Sequence, residues 1–216
     1  MTICRTRLLP RLFPIGVVIA CCAMAGEHAF AGCQPQAAAQ CQGTKLARVD
    51  WRNAKLQGAD FRNADLESAN LAGADLRGAD LRGANLQLAR LERSDLSGAN
   101  LDGADLRWAN LERSALVGTR LVGTNMAKAD LEEADMSHAV ATNANLTRAD
   151  LVAANLQQAD LLGVKLDSAY MNYANAKQAN LTGASVSRAR LIGARLNDAT
   201  WVDGRTCKAP SIGACR

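Results

Sequence analysis

From Leu46 to Trp201 every fifth residue is apolar, and the beat does not slip once across thirty-two successive positions. Leucine fills twenty-three of them, and Trp51, Phe61, Met126, Met136, Ala141, Met171, Ala176, Val186 and Trp201 fill the rest. Two residues before each lies a second constrained position. It is alanine at twenty-five of the thirty-two, and otherwise the compact Thr44, Val49, Ser94, Ser114, Thr119, Thr124 or Val164. A period of five suits neither ordinary element. On an α-helix successive leucines would land about 140° apart and smear around the axis. On a flat strand an odd period would throw them alternately to opposite faces. They share one environment only if the chain turns a corner within every unit.

The glycines agree. Eleven of them, from Gly58 to Gly193, follow a central residue by two, the phase in which a turn demands unusual backbone angles. No proline lies between Pro35 and Pro210, so a ladder of backbone hydrogen bonds need not be interrupted.

Units such as Ala74-Asp75-Leu76-Arg77-Gly78 and Ala84-Asn85-Leu86-Gln87-Leu88 resemble the A-(D/N)-L-x-x unit of pentapeptide repeat proteins, and the resemblance runs from Thr44 to Asp203. It implies an all-β fold, a right-handed quadrilateral β-helix with four units per coil and about eight coils. The number four comes from the family and not from the period. The tail Trp201-Val202-Asp203-Gly204, with Cys207 and Cys215, also resembles a closing segment of exported members. At a strand spacing of roughly 4.8 Å the rod would be ~38 Å long. Such a solenoid needs its ends covered, and Trp51 and Trp201 are bulky enough to do so.

The chain before the repeats is different in kind. Arg5, Arg7 and Arg11 precede an apolar run, Leu12 to Ala25, of about fourteen residues, short of the roughly twenty that span a bilayer. Ala29-Phe30-Ala31 then gives the small-x-small pattern of a signal-peptidase site. The expected layout is a signal peptide over 1–31, an N-terminal cap segment over 32–43, the repeat helix over 44–203 and a C-terminal cap segment over 204–216. The expected location is periplasmic or extracellular. A rival is a lipoprotein signal, carried by Val18-Ile19-Ala20-Cys21 or, more weakly, by Phe30-Ala31-Gly32-Cys33.

Cysteine usage favours simple cleavage. Cys4, Cys21 and Cys22 would leave with the signal, and Cys33, Cys41, Cys207 and Cys215 would remain. An even number in an exported chain points to disulfides. The four form two pairs of equal spacing, one at each end of the repeats. The local pairing, Cys33 with Cys41 and Cys207 with Cys215, is favoured because the other two connectivities would join opposite ends of a rod. A zinc site would need shorter spacings.

Composition removes most chemistry. Aromatic residues make up only 4% of the chain, so its core is built of aliphatic layers. His138 is the sole histidine after signal removal and falls at a turn facing solvent, with no cysteine beside it. No G-x-S-x-G turn or phosphate-binding glycine loop is present. Asp or Asn precedes the central residue in twenty units, and a twenty-residue coil would stack Asp60 on Asp80, Asp75 on Asp95 and Asp130 on Asp150. Paired carboxylates of this kind can hold a cation or act as acid and base. The favoured reading is structural: the side chain serves the turn backbone, and Arg62, Arg77 and Arg82 screen the stacked charges. No enzyme activity, catalytic residue, metal or cofactor is therefore expected.

Binding is the remaining function. One turn column reads Arg48, Ser68, Leu88, Trp108, Lys128, Arg148, Ser168, Arg188, basic with an apolar step at its centre. Glu92, Glu112 and Glu132 stack on the adjacent face beside Arg93 and Arg113, as mutually compensating charge. Residues 161–216 carry eight basic against three acidic side chains, which points to an acidic or anionic partner for the C-terminal end. The leading expectation is an exported structural or protein-binding scaffold whose partner is an unknown protein or an anionic envelope component. A second copy of the chain, as a homodimer, is the other partner weighed. The alternative the resemblance implies is a DNA mimic that modulates a topoisomerase. The chain departs from that role, because twenty-two basic residues against twenty acidic ones follow the signal. Nucleic acid is not expected as a partner.

Overall fold

The computed structural model describes residues 33–216. Residues 1–31, expected from the sequence to be a signal peptide and including Cys4, Cys21 and Cys22, and Gly32 lie outside the described residues. Within them, the path is a series of flat coils. Parallel bridges join each residue before a central position to the residue twenty further on, from Gln40 with Asp60 to Asn180 with Thr200. Each coil therefore holds four pentapeptides and has four sides. We number the sides by their central residues: side 1 runs from Leu46 to Val186 in steps of twenty, side 2 from Trp51 to Leu191, side 3 from Leu56 to Leu196 and side 4 from Phe61 to Trp201.

The unit 74–78 shows why five residues suffice. Ala74 N–H donates to Leu71 O at 2.9 Å and closes the corner, Asp75 N–H donates to Ala54 O of the coil below at 2.9 Å, and Leu76 N–H donates to Asp95 O of the coil above at 2.7 Å. Gly78 N–H also donates upward, to Ser97 O at 3.0 Å. The fifth donor, Arg77 N–H, is taken by the Asp75 carboxylate, Oδ1, at 3.3 Å. Every backbone donor of the unit is thus satisfied, and the Asp/Asn preference before the central residue has its cause in the fifth one. From Arg48 to Asp198 the residue two beyond the centre has a positive φ in every unit, whether glycine (Gly78, 64°) or not (Asn63, 55°), as a turn of type II requires.

Central side chains point inward and stack, with Leu56 to Leu181 almost completely buried beside the flanking alanines. Where serine or threonine replaces alanine the hydroxyl is satisfied. Ser94 Oγ donates to Leu91 O at 2.7 Å and Thr119 Oγ1 to Leu96 O at 2.9 Å. Met136 with Ala141, and Met171 with Ala176, sit on adjoining sides and are fully buried.

The two ends differ. Cys33 and Cys41 stand at disulfide-bonding distance, Cα atoms 5.0 Å apart, with Cys41 buried one coil below Phe61. Trp51 packs its ring 6.1 Å from that of Phe61. At the other end Cys207 and Cys215, Cα atoms 4.8 Å apart, tie down a tail that folds back over the last coil. That tail makes antiparallel bridges, Thr200 with Thr206 and Arg195 with Ile212. It accepts the N–H groups of Leu196, Asp198 and Trp201, and so covers sides 3 and 4.

Candidate functional site

The corner between sides 1 and 2 carries the column read from the sequence, Arg48 to Arg188, one residue per coil. All eight residues lie at positive φ, from 56° at Ser68 to 62° at Arg48 and Lys128. A side chain in that conformation costs roughly 1–2 kcal/mol relative to glycine. The opposite corner, between sides 3 and 4, makes the contrary choice and uses Gly58, Gly78, Gly98 and Gly118 in succession. The first column alone has no glycine in any coil from Arg48 to Arg188 and no carboxylate either; Glu67 and Asp167 stand at the neighbouring turn position.

Leu88 and Trp108 are neighbours on this corner, 52% and 45% exposed. The Lys128 ammonium lies 5.2 Å from the Trp108 ring centre, and the guanidinium of Arg107, which sequence reasoning passed over, lies 5.5 Å from it. Each such contact contributes about 0.5–1 kcal/mol at an exposed site and holds the ring in place. Arg48 and Arg188 stand coils away and touch none of these. They extend the row without joining its centre.

Among the described residues nine arginines are ion-paired; the basic side chains of this column are not, nor are others off it such as Arg93, Arg190 and Arg195. Arg62, Arg77, Arg82 and Arg107 each fork onto the aspartate two residues back at 2.6–2.7 Å, and Arg120 reaches Asp102 at 2.8 Å. Among the described residues, Arg48, Lys128, Arg148 and Arg188 make no ion pair. Four unpaired cations on one straight edge are available to an anionic partner.

The stacked aspartates serve the backbone. Asp60, Asp75 and Asp80 each accept the N–H two residues on. Arg62 reaches both Asp60 (2.6 Å) and Asp80 (3.6 Å), and Arg77 reaches both Asp75 (2.6 Å) and Asp95 (3.7 Å). The arginine partners hold the carboxyls of Asp60 and Asp80 below the usual range. That of Asp75 is held at about 2, by Arg77 first and then by the Gln57 amide. Among the described residues no group of three His, Cys, Asp or Glu side chains is placed to hold a metal ion. On side 2, Arg113 pairs with Glu112 at 3.2 Å and Glu133 at 2.8 Å, and Arg90 with Glu92 at 3.2 Å, so that the charge there compensates itself. His138 is an exposed corner residue.

A four-sided, single-chain β-solenoid with a solid aliphatic core is a scaffold architecture. The chain belongs to the pentapeptide repeat family. The pentapeptide repeats match it in eight copies, over residues 37–73, 59–98, 69–107, 104–140, 129–167 and 159–198. Proteins of this family fold as right-handed quadrilateral β-helices and are generally non-enzymatic structural or protein-binding proteins. Among solved structures the chain is similar to HetL, a pentapeptide repeat protein involved in heterocyst differentiation regulation from the cyanobacterium Nostoc sp. strain PCC 7120. Identity is 34% over 77% of this chain and 78% of HetL, with a TM-score of 0.55. It also shares its fold with QnrB1, a plasmid-mediated fluoroquinolone resistance protein, at 22% identity over 76% of this chain and 80% of the other, with a TM-score of 0.52. No curated protein sequence matches the chain.

Proposed function

We propose that this protein is an exported, non-enzymatic scaffold of about eight coils that binds an acidic partner protein along the corner from Arg48 to Arg188. The observation that carries this reading is the combination at that corner. Four cations there are unpaired, their column holds no carboxylate, and an exposed Leu88–Trp108 step lies between them. Aromatic and basic side chains of this kind dominate binding energy at interfaces. The absence of glycine adds weight, because the chain keeps side chains there against the conformational preference of the turn. A row of cations is the opposite of a phosphate-like surface, which speaks against nucleic-acid mimicry.

The test is affinity capture from an envelope extract. The wild type is compared with Trp108→Ala, with Lys128→Glu/Arg148→Glu, and with Gln158→Ala/Gln178→Ala on the opposite corner. A partner retained by the wild type and the opposite-corner control, released by salt and lost from both corner variants supports the reading. Capture that is the same for all four proteins contradicts it.

A further inference from the structure

The C-terminal cap leaves half of the helix end open. It covers sides 3 and 4 and lays Gly213 against the backbone of Leu191 and Gly193 at the far corner of side 2, but among the described residues no rung pairs with Val186 on side 1 or Leu191 on side 2. Among the described residues, the backbone N–H groups of Val186, Arg188, Leu191 and Gly193 donate to nothing, and the carbonyls of Ala184 and Ala189 accept from nothing. The equivalent groups one coil below are all paired: Leu166 N–H with Ser185 O, Ser168 N–H with Ser187 O, Met171 N–H with Arg190 O and Tyr173 N–H with Ile192 O. Val186 and Leu191 are only half-buried, whereas Leu166 and Met171 beneath them are sealed. Here the solenoid stops with its ladder unfinished.

The rim of this opening is apolar and basic. Ile192 and Ile212 are 67% and 59% exposed, and they border an open groove of about 640 Å³ whose floor is Ala189 and Leu191. Tyr173, 66% exposed, folds over Gly193, where an added Cβ would lie 2.5 Å from its ring. Arg190 holds its guanidinium 4.9 Å from the Tyr170 ring centre, and neither Arg188 nor Arg190 is ion-paired among the described residues. Among the described residues from 161 on, the carboxylate side chains are Asp167, whose Oδ1 accepts from Ser185 and Ser187, Asp198 after side 3, and Asp203, paired with Arg205.

We infer that this open edge takes an extended acidic segment of a partner protein, added as the next rung over sides 1 and 2. Exposed ladder edges recruit strands, main-chain hydrogen bonds supply the affinity, and the flanking side chains supply the choice. Apolar residues of the segment lie against Val186, Leu191 and Ile192, and its carboxylates face Arg188 and Arg190. A second copy of this chain is the poorer occupant, because it would bring the same basic end against itself. The edge shares Arg188 with the corner, but neither Trp108 nor Lys128 belongs to it, so the Trp108→Ala variant separates the two readings.

The test uses the chain with both disulfides closed and a fluorescent synthetic peptide of about nine alternating Val and Glu residues, long enough for one strand. Two controls are the same peptide with Lys for Glu, and the Val/Glu peptide N-methylated at alternate residues. The Val/Glu peptide should bind at least about tenfold more tightly than either control, about 1.4 kcal/mol. Arg188→Glu/Arg190→Glu should reverse the charge preference, while Trp108→Ala should leave it unchanged. In amide-exchange NMR, Val186, Arg188, Leu191 and Gly193 should slow on adding the peptide, while Leu196 and Asp198 should not change. Equal binding of the three peptides overturns the inference. So does slowing of those four amides with chain concentration alone, which would assign the edge to a second copy.

Discussion

The Asp102 carboxylate accepts the backbone N–H of Val122, one coil above it, at 2.9 Å. Its other oxygen takes the Arg120 guanidinium at 2.8 Å. The N–H of Val122 would ordinarily be taken by an Asp or Asn at position 120, and Arg120 has no oxygen to offer. The same replacement recurs where Asp167 accepts from Ser187 at 3.1 Å and where Asn172 accepts from Ile192 at 3.2 Å. In these three units the missing acceptor is supplied from twenty residues earlier.

Asp102→Ala should destabilise the protein by about 1–3 kcal/mol, the cost of leaving a part-buried donor unmet. Asp102→Asn keeps the acceptor and should cost less. Arg120→Asp in the Asp102→Ala background should recover much of the loss by restoring the local contact. Urea unfolding of the four proteins decides the matter, and an unchanged midpoint for Asp102→Ala would refute this account.

This contact also shows where sequence reading stopped. The five-residue beat exposed the core, the turn and the role of the aspartates, because each lies within one unit. Asp102 is invisible to that beat, since its partner is found only once the coil is known to hold twenty residues, and that number came from family resemblance. The corner column was legible for the same borrowed reason. Arg107 was missed because it lies one residue off the column, and its approach to Trp108 depends on a rotamer. The open edge at Val186 and Leu191 was missed because periodicity does not say how far a non-repeating tail reaches. The basic excess of residues 161–216 was its only trace in the sequence.

Acid should weaken the rod in a defined window. Asp60, Asp75 and Asp80 have folded pKa values below those of the unfolded chain, near 3.9, with Asp75 at about 2. The stability they add is complete above the unfolded value and is lost as pH falls through the folded one. The urea midpoint should hold above about pH 5 and fall between about pH 4 and 2. Replacing Arg62, Arg77 and Arg82 by Gln should flatten that fall. A midpoint independent of pH across the window would count against the pairing.

The buried Met136 and Ala141 test whether the coil keeps its volume by compensation. A flexible methionine can fill the space an adjoining alanine leaves. Met136→Ala should then cost toward the upper end of about 2–5 kcal/mol. Ala141→Leu alone should overpack and cost ~1–3 kcal/mol. The double variant should recover much of both losses. Thermal unfolding that shows Ala141→Leu to be stabilising would mean the space was empty.

Both ends should be covalently closed in protein recovered from its native compartment. Non-reducing peptide mapping should join Cys33 to Cys41 and Cys207 to Cys215, and intact mass should show a chain beginning at Gly32 without lipid. Free thiols at all four positions, or a diacylglyceryl adduct on Cys21 or Cys33, would contradict export as a soluble, capped rod.

The central claim is that one corner of this rod is a docking edge for a partner protein. The most direct measurement is site-specific photo-crosslinking in living cells, with a benzophenone amino acid placed at Leu88 on that corner or at Gln158 on the opposite one. The account predicts a discrete, higher-mass adduct in the envelope fraction from position 88, absent from position 158 and abolished by Lys128→Glu/Arg148→Glu. Equal adducts from both positions, or none from position 88, would contradict it.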